Sequence, residues 1–287
     1  MNIMKFRPLF FLVSSILLLV SIFSIYNWNF KFSEDFTGGS TYEIKLPNVK
    51  DDSEIKKIFS NSKIDIRFML SEKNIYTIKF VDISQDQKVK LDEDFKKLDK
   101  DSEILQFTSV GPSLGQELIK KTIYAIILSS ISLLLFIGFK FSDFSFGAGA
   151  ILAMFHDSFI LIGAFSLFGH FFGAQLDALF VTALLTTLSA SVHDTVVTFD
   201  RIRELRRKHA SLPWVDLANQ AVSEVIVRSI NNSMTIIFML LALVLLGGST
   251  TRWFATALLV GVISGTYSST AVAIPLVLLF KRKKSLK

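Results

Sequence analysis

The chain has 287 residues, of which 51% are hydrophobic, 28 are Phe and none is Cys, and its mean hydropathy is +0.48. This composition is typical of an integral membrane protein, and the lack of cysteine excludes disulfides, cysteine–zinc sites and thiol chemistry. The net charge is +6, but residues 31–119 carry 14 Lys/Arg against 17 Asp/Glu. The basic excess therefore lies beside apolar segments, which indicates membrane topology and not binding of nucleic acid.

Six apolar segments are long enough to cross a bilayer, because about 20 helical residues span its hydrocarbon core. They are residues 9–27, 121–139, 146–170, 176–199, 230–247 and 253–280. The first has no small-x-small cleavage site and is predicted to be a retained anchor. Lys and Arg cluster at the N-terminus, at Lys140, in residues 200–228 and in the C-terminal tail. Both termini are therefore predicted to be cytoplasmic, with residues 31–119 extracytoplasmic.

The extracytoplasmic segment, residues 31–119, has strand-like and helix-like patterns in the order βαββαβ. The predicted strands are residues 40–46, 64–69, 75–81 and 103–108, and the predicted helices are residues 51–60 and 85–98. This order is typical of a small α+β ferredoxin-like domain. The segment contains no His and no catalytic constellation, so a binding or spacer module is expected.

Residues 200–228 form a cytoplasmic segment between the fourth and fifth spans. A basic helical extension is predicted for 200–208, and Ser211-Leu212-Pro213 is a helix start signal. From Trp214 onward apolar residues recur at helical spacing, which predicts an amphipathic helix on the membrane surface or against a partner. The domain organisation is then 1–30, 31–119, 120–199, 200–228 and 229–287.

Asp194 is a carboxylate within the fourth span. An ionised Asp at the centre of a membrane helix costs about 2.5–3.5 kcal/mol, so such residues usually have a function. Thr187, Ser191, Asp194 and Thr198 are spaced by four, three and four residues. They share one helical face, which could line a hydrated crevice.

The fifth span begins with a matching polar face, formed by Arg228, Asn231, Asn232 and Thr235. A pair between Asp194 and Arg228 is geometrically plausible. Desolvation favours the protonated acid, whereas a nearby guanidinium favours the carboxylate. A separation that changes between conformations would couple proton uptake to movement. A fixed pair would be structural, and the absence of any contact is a third possibility.

Three further residues within the spans are ambiguous. His156 and Asp157 lie near the middle of the third span, and His193 adjoins Asp194. Each could extend a proton path or hydrogen-bond between helices.

In the sixth span Pro275 predicts a kink, and a stripe of small residues predicts close helix packing. That stripe comprises Ala257, Gly261, Gly265 and Ser268.

Short motifs in a fixed order resemble the SecF family, part of the SecD/SecF group in the resistance-nodulation-division superfamily. They are Asp35-Phe36-Thr37-Gly38-Gly39, Val110-Gly111-Pro112, His156-Asp157, His193-Asp194-Thr195-Val196-Val197, Asp200-Arg201-Ile202-Arg203-Glu204, Gly247-Gly248 and Gly265-Thr266-Tyr267-Ser268-Ser269. The resemblance covers nearly the whole chain. The chain departs from the family at Ser33-Glu34, where Gly-Ile is usual, and at 189–193, where a Gly-Tyr-Ser stretch and an Asn are usual.

The resemblance implies a membrane subunit of the bacterial Sec translocase that uses the proton motive force to assist polypeptide export. Its six helices would be half of a pseudo-symmetric bundle completed by a SecD-type subunit. The implied partners also include the SecY/SecE/SecG channel, a YajC-like accessory subunit, the translocating polypeptide and membrane lipid. Asp194 and Arg228 match the family's membrane Asp and Arg. No cofactor or metal is implied, and the location would be the bacterial inner membrane.

Two other functions remain open. One is a proton-coupled transporter of small molecules or lipids in the same superfamily. The other is a scaffold that holds translocon subunits together without ion coupling, which insensitivity to changes at Asp194 and Arg228 would favour. An enzyme is not predicted, because no nucleophile or acid–base set lies outside the bilayer.

Overall fold

The computed structural model describes residues 2–49, 51–72, 74–141 and 143–284. The chain divides into two compact units, Met1–Lys31 with Ala125–Lys287, and Phe32–Tyr124. In chain order the elements are a 3-10 helix Ile3–Phe6, α1 Arg7–Trp28, α2 Glu34–Thr37, β1 Gly39–Lys45, α3 Asp52–Asn61, β2 Ile66–Glu72, β3 Ile75–Phe80, α4 Gln85–Leu98, β4 Glu103–Val110, α5 Pro112–Lys140, α6 Phe144–Phe172, α7 Ala178–Lys208, α8 Trp214–Leu246, α9 Ser249–Ser268, a π-helical turn Ser269–Ala273 and α10 Ile274–Lys284.

Six helices in the described residues are long and apolar enough to cross a membrane, as the sequence predicts. They are Ile3–Trp28, Ser113–Lys140, Phe144–Phe172, Ala178–Lys208, Trp214–Leu246 and Thr250–Lys281. The last contains the π-helical turn, which ends two residues before Pro275, whose missing N–H removes a helical hydrogen bond. The predicted fold class, a six-span helical membrane protein with a small α+β unit, is confirmed.

The segment predicted as a separate surface helix is instead the first half of α8, which runs unbroken from Trp214 to Leu246. The predicted boundary at 228/229 therefore has no counterpart in the helix. Leu217, Ala218, Ala221 and Val222 are buried in the core of the helical unit. The apolar face was expected to lie on the membrane surface or against a partner, and in the structure it packs against other helices of the same chain.

The Phe32–Tyr124 unit contains a four-stranded antiparallel sheet in the order β2-β3-β1-β4. Strand β1 is central and directs the fully buried Tyr42 and Ile44 into the core. Helices α3 and α4 cover that side with residues such as Phe59 and Phe95. A reciprocal capping box between Ser84 and Gln87 starts α4. This is the predicted βαββαβ arrangement.

Small residues allow the central helices of the other unit to approach closely. A Cβ on Gly163 of α6 would lie 2.2 Å from Ser21 Cβ of α1. A Cβ on Gly261 of α9 would lie 2.1 Å from Thr187 Cγ2 of α7. Helix α6 is therefore in close contact with α1, and α9 with α7.

Candidate functional site: two carboxylates among the membrane helices

Asp157, near the middle of α6, is buried and surrounded by hydroxyl groups. Its Oδ2 accepts hydrogen bonds from Ser191 Oγ of α7 and Ser268 Oγ of α9, each at 2.5 Å. Its Oδ1 accepts from Ser264 Oγ of α9 at 2.7 Å. Three serine hydroxyls from two neighbouring helices therefore converge on one carboxylate, an arrangement called the serine cage below.

His156 adds a fourth contact to this carboxylate. Its Nδ1 lies 3.0 Å from Asp157 Oδ1 and donates to it when the acid is ionised. His156 is buried, and its Nε2 has no hydrogen-bond partner among the described residues. The structure thus joins two residues that the sequence left ambiguous into one buried pair.

Asp194 lies near the middle of α7 in a different setting. It is half-buried and lines a groove of ≈ 550 Å³ between α7, α8 and α9. Its side chain accepts one hydrogen bond from a described residue, Ser229 Oγ, at 3.3 Å from Oδ2. Ser191 also borders the groove, while its side chain is buried and donates to Asp157.

The predicted pair with Arg228 is not formed in this structure. No ion pair within 4.0 Å joins Asp194 and Arg228 in the described residues, and the partner of Asp194 is the next residue, Ser229. Arg228 is exposed and lines a second groove of ≈ 610 Å³ with Arg201 and Glu224. Of the three possibilities stated above, this conformation shows the absence of contact.

The remaining residues of the predicted α7 face separate into two groups. Thr187 and Thr198 are buried, donate to the backbone carbonyls of Leu184 and Asp194, and are not among the residues that line the groove. His193 is exposed and lines the groove beside Asp194. Only part of the predicted polar face is therefore open.

An uncovered polar face follows Arg228 along α8. Asn231, Asn232 and Thr235 are exposed at a depth where the surrounding residues are apolar. Polar groups exposed to lipid carry a desolvation cost, so such a face is typical of contact with another protein or with water.

The Asp200-Arg201-Ile202-Arg203-Glu204 motif forms an ion-pair network at the end of α7. Arg201 pairs with Glu204 at 2.5 Å and with Glu224 of α8. Asp200 pairs with Lys140 of α5 at 2.8 Å and with Arg203 at 3.3 Å. The motif therefore links the ends of three membrane helices.

The Asp35-Phe36-Thr37-Gly38-Gly39 motif forms a capped turn in the Phe32–Tyr124 unit. Ser33 accepts from the Asp35 N–H, and Arg67 donates to Gly38 O at 2.9 Å. Gly39 has φ +141°, and a Cβ there would lie 2.7 Å from a backbone oxygen, so only glycine fits.

Neighbouring charges stabilise this turn. Burial opposes the ionisation of Glu34, but the attraction of Lys79, at 2.9 Å, and the hydrogen bond from Thr41 prevail and lower its pKa.

Gly111 links β4 to Pro112 at the start of α5 and accepts a helical hydrogen bond from Gly115. These motif residues are structural within their unit.

The sequence analysis did not identify three serines that donate hydrogen bonds to the two carboxylates. Ser229 donates to Asp194, and Ser264 and Ser268 donate to Asp157. Ser268 was assigned to a packing stripe, and Ser264 was not considered. The useful signal was the four-residue spacing of these two serines, which places both on the helix face that carries Gly261 and Gly265.

The chain resembles known proteins over nearly its whole length. The family model described as "Protein export membrane protein SecD/SecF, C-terminal" matches residues 90–283. The protein translocase subunit SecF of Thermobaculum terrenum is 35% identical over 285 residues, covering 93% of this chain and 90% of that one. SecF of Sebaldella termitidis is 35% identical over 291 residues, covering 99% and 93%.

A solved structure shows the same fold. The crystal structure of SecDF, a translocon-associated membrane protein from Thermus thermophilus, matches with a TM-score of 0.86 at 29% identity, covering 98% of this chain. The chain spans 39% of that longer SecDF protein, which implies a SecD partner here. Six apolar helices and the SecF relatives indicate a multi-pass inner-membrane protein. The chain belongs to the SecD/SecF family of protein export membrane proteins.

Proposed function

We propose that this chain is the SecF-type half of a machine that uses the proton gradient to assist polypeptide export across the inner membrane. In this proposal Asp194 takes up and releases the proton. The observation that carries the proposal is the position of Asp194 in an open groove among the membrane helices, with one long hydrogen bond from Ser229. A carboxyl group that faces a groove can exchange protons with water more readily than one enclosed by packed side chains.

Proton binding at Asp194 would change the attraction between α7 and α8. The ionised acid attracts Ser229 and the neighbouring Arg228, and protonation removes the charge. One charge crossing 100 mV is worth about 2.3 kcal/mol. This energy can bias a two-state movement about 50-fold at room temperature, which is sufficient for a mechanical step.

The partner surface in this proposal is the uncovered polar face of α8. Arg228, Asn231, Asn232 and Thr235 would face the SecD-type subunit, which satisfies their polar groups. The longer SecDF relative supports a SecD-type partner, and the exposed polar side chains of α8 are the reason for placing that partner on this face. The SecY/SecE/SecG channel, a YajC-like subunit and the translocating polypeptide are further proposed partners.

Movement is supported by the two SecDF structures. Both cover almost all of this chain at 29% identity, but the TM-scores are 0.86 and, for a super-membrane-facing form, 0.68. The region similar to this chain is therefore arranged differently in the two SecDF structures. We propose that both termini are cytoplasmic, that the Phe32–Tyr124 unit is extracytoplasmic, and that the chain is not an enzyme.

The test is the export rate of a secreted reporter in cells that contain this chain and its SecD-type partner. Asp194→Asn removes the titratable group and keeps the side-chain size. Asp216→Asn, an exposed acid at the start of α8, is the matched control. Rates are compared with the proton gradient intact and collapsed.

The proposal predicts that Asp194→Asn abolishes the gradient-dependent part of export while Asp216→Asn retains it, with equal assembly of both complexes. Full gradient-dependent export by Asp194→Asn would overturn the proposal and favour the scaffold function. Gradient-driven movement of a small solute in the absence of exported polypeptide would favour the transporter function.

A further inference from the structure

The serine cage is a complete polar site that the proposed function of Asp194 does not use. Asp157 is only 5% exposed, yet all its contacts in the described residues are to neutral hydroxyls and one imidazole. A buried acid that serves only as a permanent anion is usually paired with Arg or Lys or with backbone N–H groups. The absence of such a cation among the described residues therefore needs an explanation.

We propose that Asp157 is a second proton-binding site, loaded from the Asp194 groove through the hydroxyl of Ser191. This inference deepens the proposed function and rests on it for the source of the proton. The structure supplies the route, because the buried Ser191 stands between the groove that it borders and Asp157, whose Oδ2 lies 2.5 Å from Ser191 Oγ.

Hydroxyl ligands suit an acid that changes its protonation state. A serine hydroxyl donates to a carboxylate, and after rotation it accepts from a carboxylic acid. Ser191, Ser264 and Ser268 can therefore satisfy Asp157 in both states, whereas Lys, Arg and backbone N–H groups cannot accept a hydrogen bond from the acid proton. The cage does not have to open for the proton to bind.

His156 directs the proton to the carboxylate. Its Nδ1 faces Asp157 Oδ1, and its buried Nε2 has no acceptor in the described part of the chain. A proton on Nε2 would be buried without a hydrogen bond, which is costly. The imidazole is then a fixed neutral donor to Oδ1, and Oδ2, between Ser191 and Ser268, receives the proton.

The transfer balances without a cofactor. A hydronium ion in the groove gives a proton to Ser191 Oγ and becomes water, while the serine's own hydroxyl proton passes to Asp157 Oδ2. One O–H bond forms and one breaks at Ser191, so the serine is unchanged and the carboxylate becomes a carboxylic acid. No atom is oxidised or reduced.

The surrounding titratable groups are few. Helix α7 contributes Asp194, one turn beyond Ser191, and the groove-facing His193. Helix α9 contributes Tyr267, whose ring centroid lies 6.4 Å from that of His156 and whose hydroxyl donates to Phe10 O. Helix α1 has no Asp, Glu, His, Lys or Arg after its first residue. Asp194 is therefore the acidic neighbour whose charge most affects proton transfer to Asp157.

The test is infrared difference spectroscopy of the complex of this chain with its SecD-type partner in liposomes, recorded after a pH jump. The C=O stretching band of a protonated carboxylic acid is followed in wild type and in Asp157→Asn. Two further variants each remove one hydroxyl of the cage. Ser191→Ala blocks the proposed route, and Ser264→Ala is the matched control, because Ser264 does not line the groove.

The inference predicts that Asp157→Asn removes a C=O band and that Ser191→Ala slows its appearance at least several-fold relative to Ser264→Ala. Identical spectra for wild type and Asp157→Asn, or equal rates for the two serine variants, would overturn it. If Asp157→Asn does not assemble, the serine pair alone decides the result. Because the spectra do not depend on export, failure of this inference is distinguishable from failure of the proposed role of Asp194.

Discussion

Two regions of the helical unit differ in the burial and hydrogen bonding of the carboxylate that each contains. Helices α6, α7 and α9 form a closed layer, in which Asp157 is buried and contacted by three hydroxyls and an imidazole. The side formed by α7 and α8 is open, and Asp194 there has one long hydrogen bond and a groove in front of it. In the most apolar 18-residue stretch of α6, 50% of the residues are buried, compared with 11% in the corresponding stretch of α8.

We infer from this difference that the two regions have different roles. The closed layer provides fixed geometry, because its polar groups have partners on neighbouring helices. The open side leaves Asp194, Arg228 and the polar face of α8 available for a partner subunit and for proton exchange. The following variants test whether the two regions differ as described.

The largest effect on stability is expected for Asp157→Ala. The three cage serines would lose hydrogen bonds to a charged group, each worth about 1.5–3 kcal/mol, although serine can recover part of this by bonding to its own helix. The matched variant Asp194→Ala loses one long hydrogen bond and should change stability far less. Thermal unfolding of the purified complex, followed by size-exclusion chromatography, measures both. Equal loss of stability in the two variants would contradict the contrast between closed and open regions.

A somewhat smaller effect is expected for Gly261→Ala, which tests the close contact of α7 and α9. The added Cβ would lie 2.1 Å from Thr187 Cγ2, so the helices must separate. Overpacking of this kind costs about 1–3 kcal/mol. The control is Gly138→Ala in α5, where a Cβ would have no neighbour within 4 Å. The same unfolding assay should show a lower midpoint only for Gly261→Ala.

Replacing Asn231 and Asn232 together with Leu tests the open side. Both are exposed on α8, so the helical unit itself should remain as stable as wild type. Association with the SecD-type partner should weaken, because the amides would no longer hydrogen-bond across the interface, at about 0.6 kcal/mol each. Co-purification from mild detergent at a series of concentrations measures this. Unchanged association would place the partner on another face.

The smallest effect is expected for Glu224→Gln, which removes the ion pair between α8 and Arg201. Exposed ion pairs contribute about 0.2–1 kcal/mol. A double-mutant cycle with Arg201→Gln should give a coupling energy within that range, and it should decrease as salt concentration rises. A coupling much larger than this would mean that the end of α7 belongs to the closed region.

Much of the fold could be predicted from the sequence because it follows from local patterns. The six apolar segments are long enough to span the membrane, and the alternating pattern of residues 40–108 predicts the order of strands and helices. The unbroken course of α8 could not be predicted, since burial of Leu217 and Val222 depends on distant residues such as Met4. By contrast, the basic helical extension predicted for 200–208 is present, because α7 continues without a break from the fourth span to Lys208.

The site was predictable in part. Asp194 was identified from the cost of a charge in a membrane, which requires only its position in the sequence. The partners of Asp157 could not be identified, because Ser191, Ser264 and Ser268 lie on two other helices and serine is also common where helices pack closely. The Ser229 contact and the outward position of Arg228 depend on the rotation of α8 about its axis, which short-range spacing does not determine.

The most direct test of the central claim measures proton movement itself. The complex of this chain with its SecD-type partner is placed in liposomes that contain a pH-sensitive dye, and an imposed pH gradient is followed with time in wild type, Asp194→Asn and Asp216→Asn. The account predicts that wild type and Asp216→Asn dissipate the gradient faster than protein-free liposomes and that Asp194→Asn does not. Equal proton flux in Asp194→Asn and wild type would show that Asp194 does not couple the complex to the proton gradient.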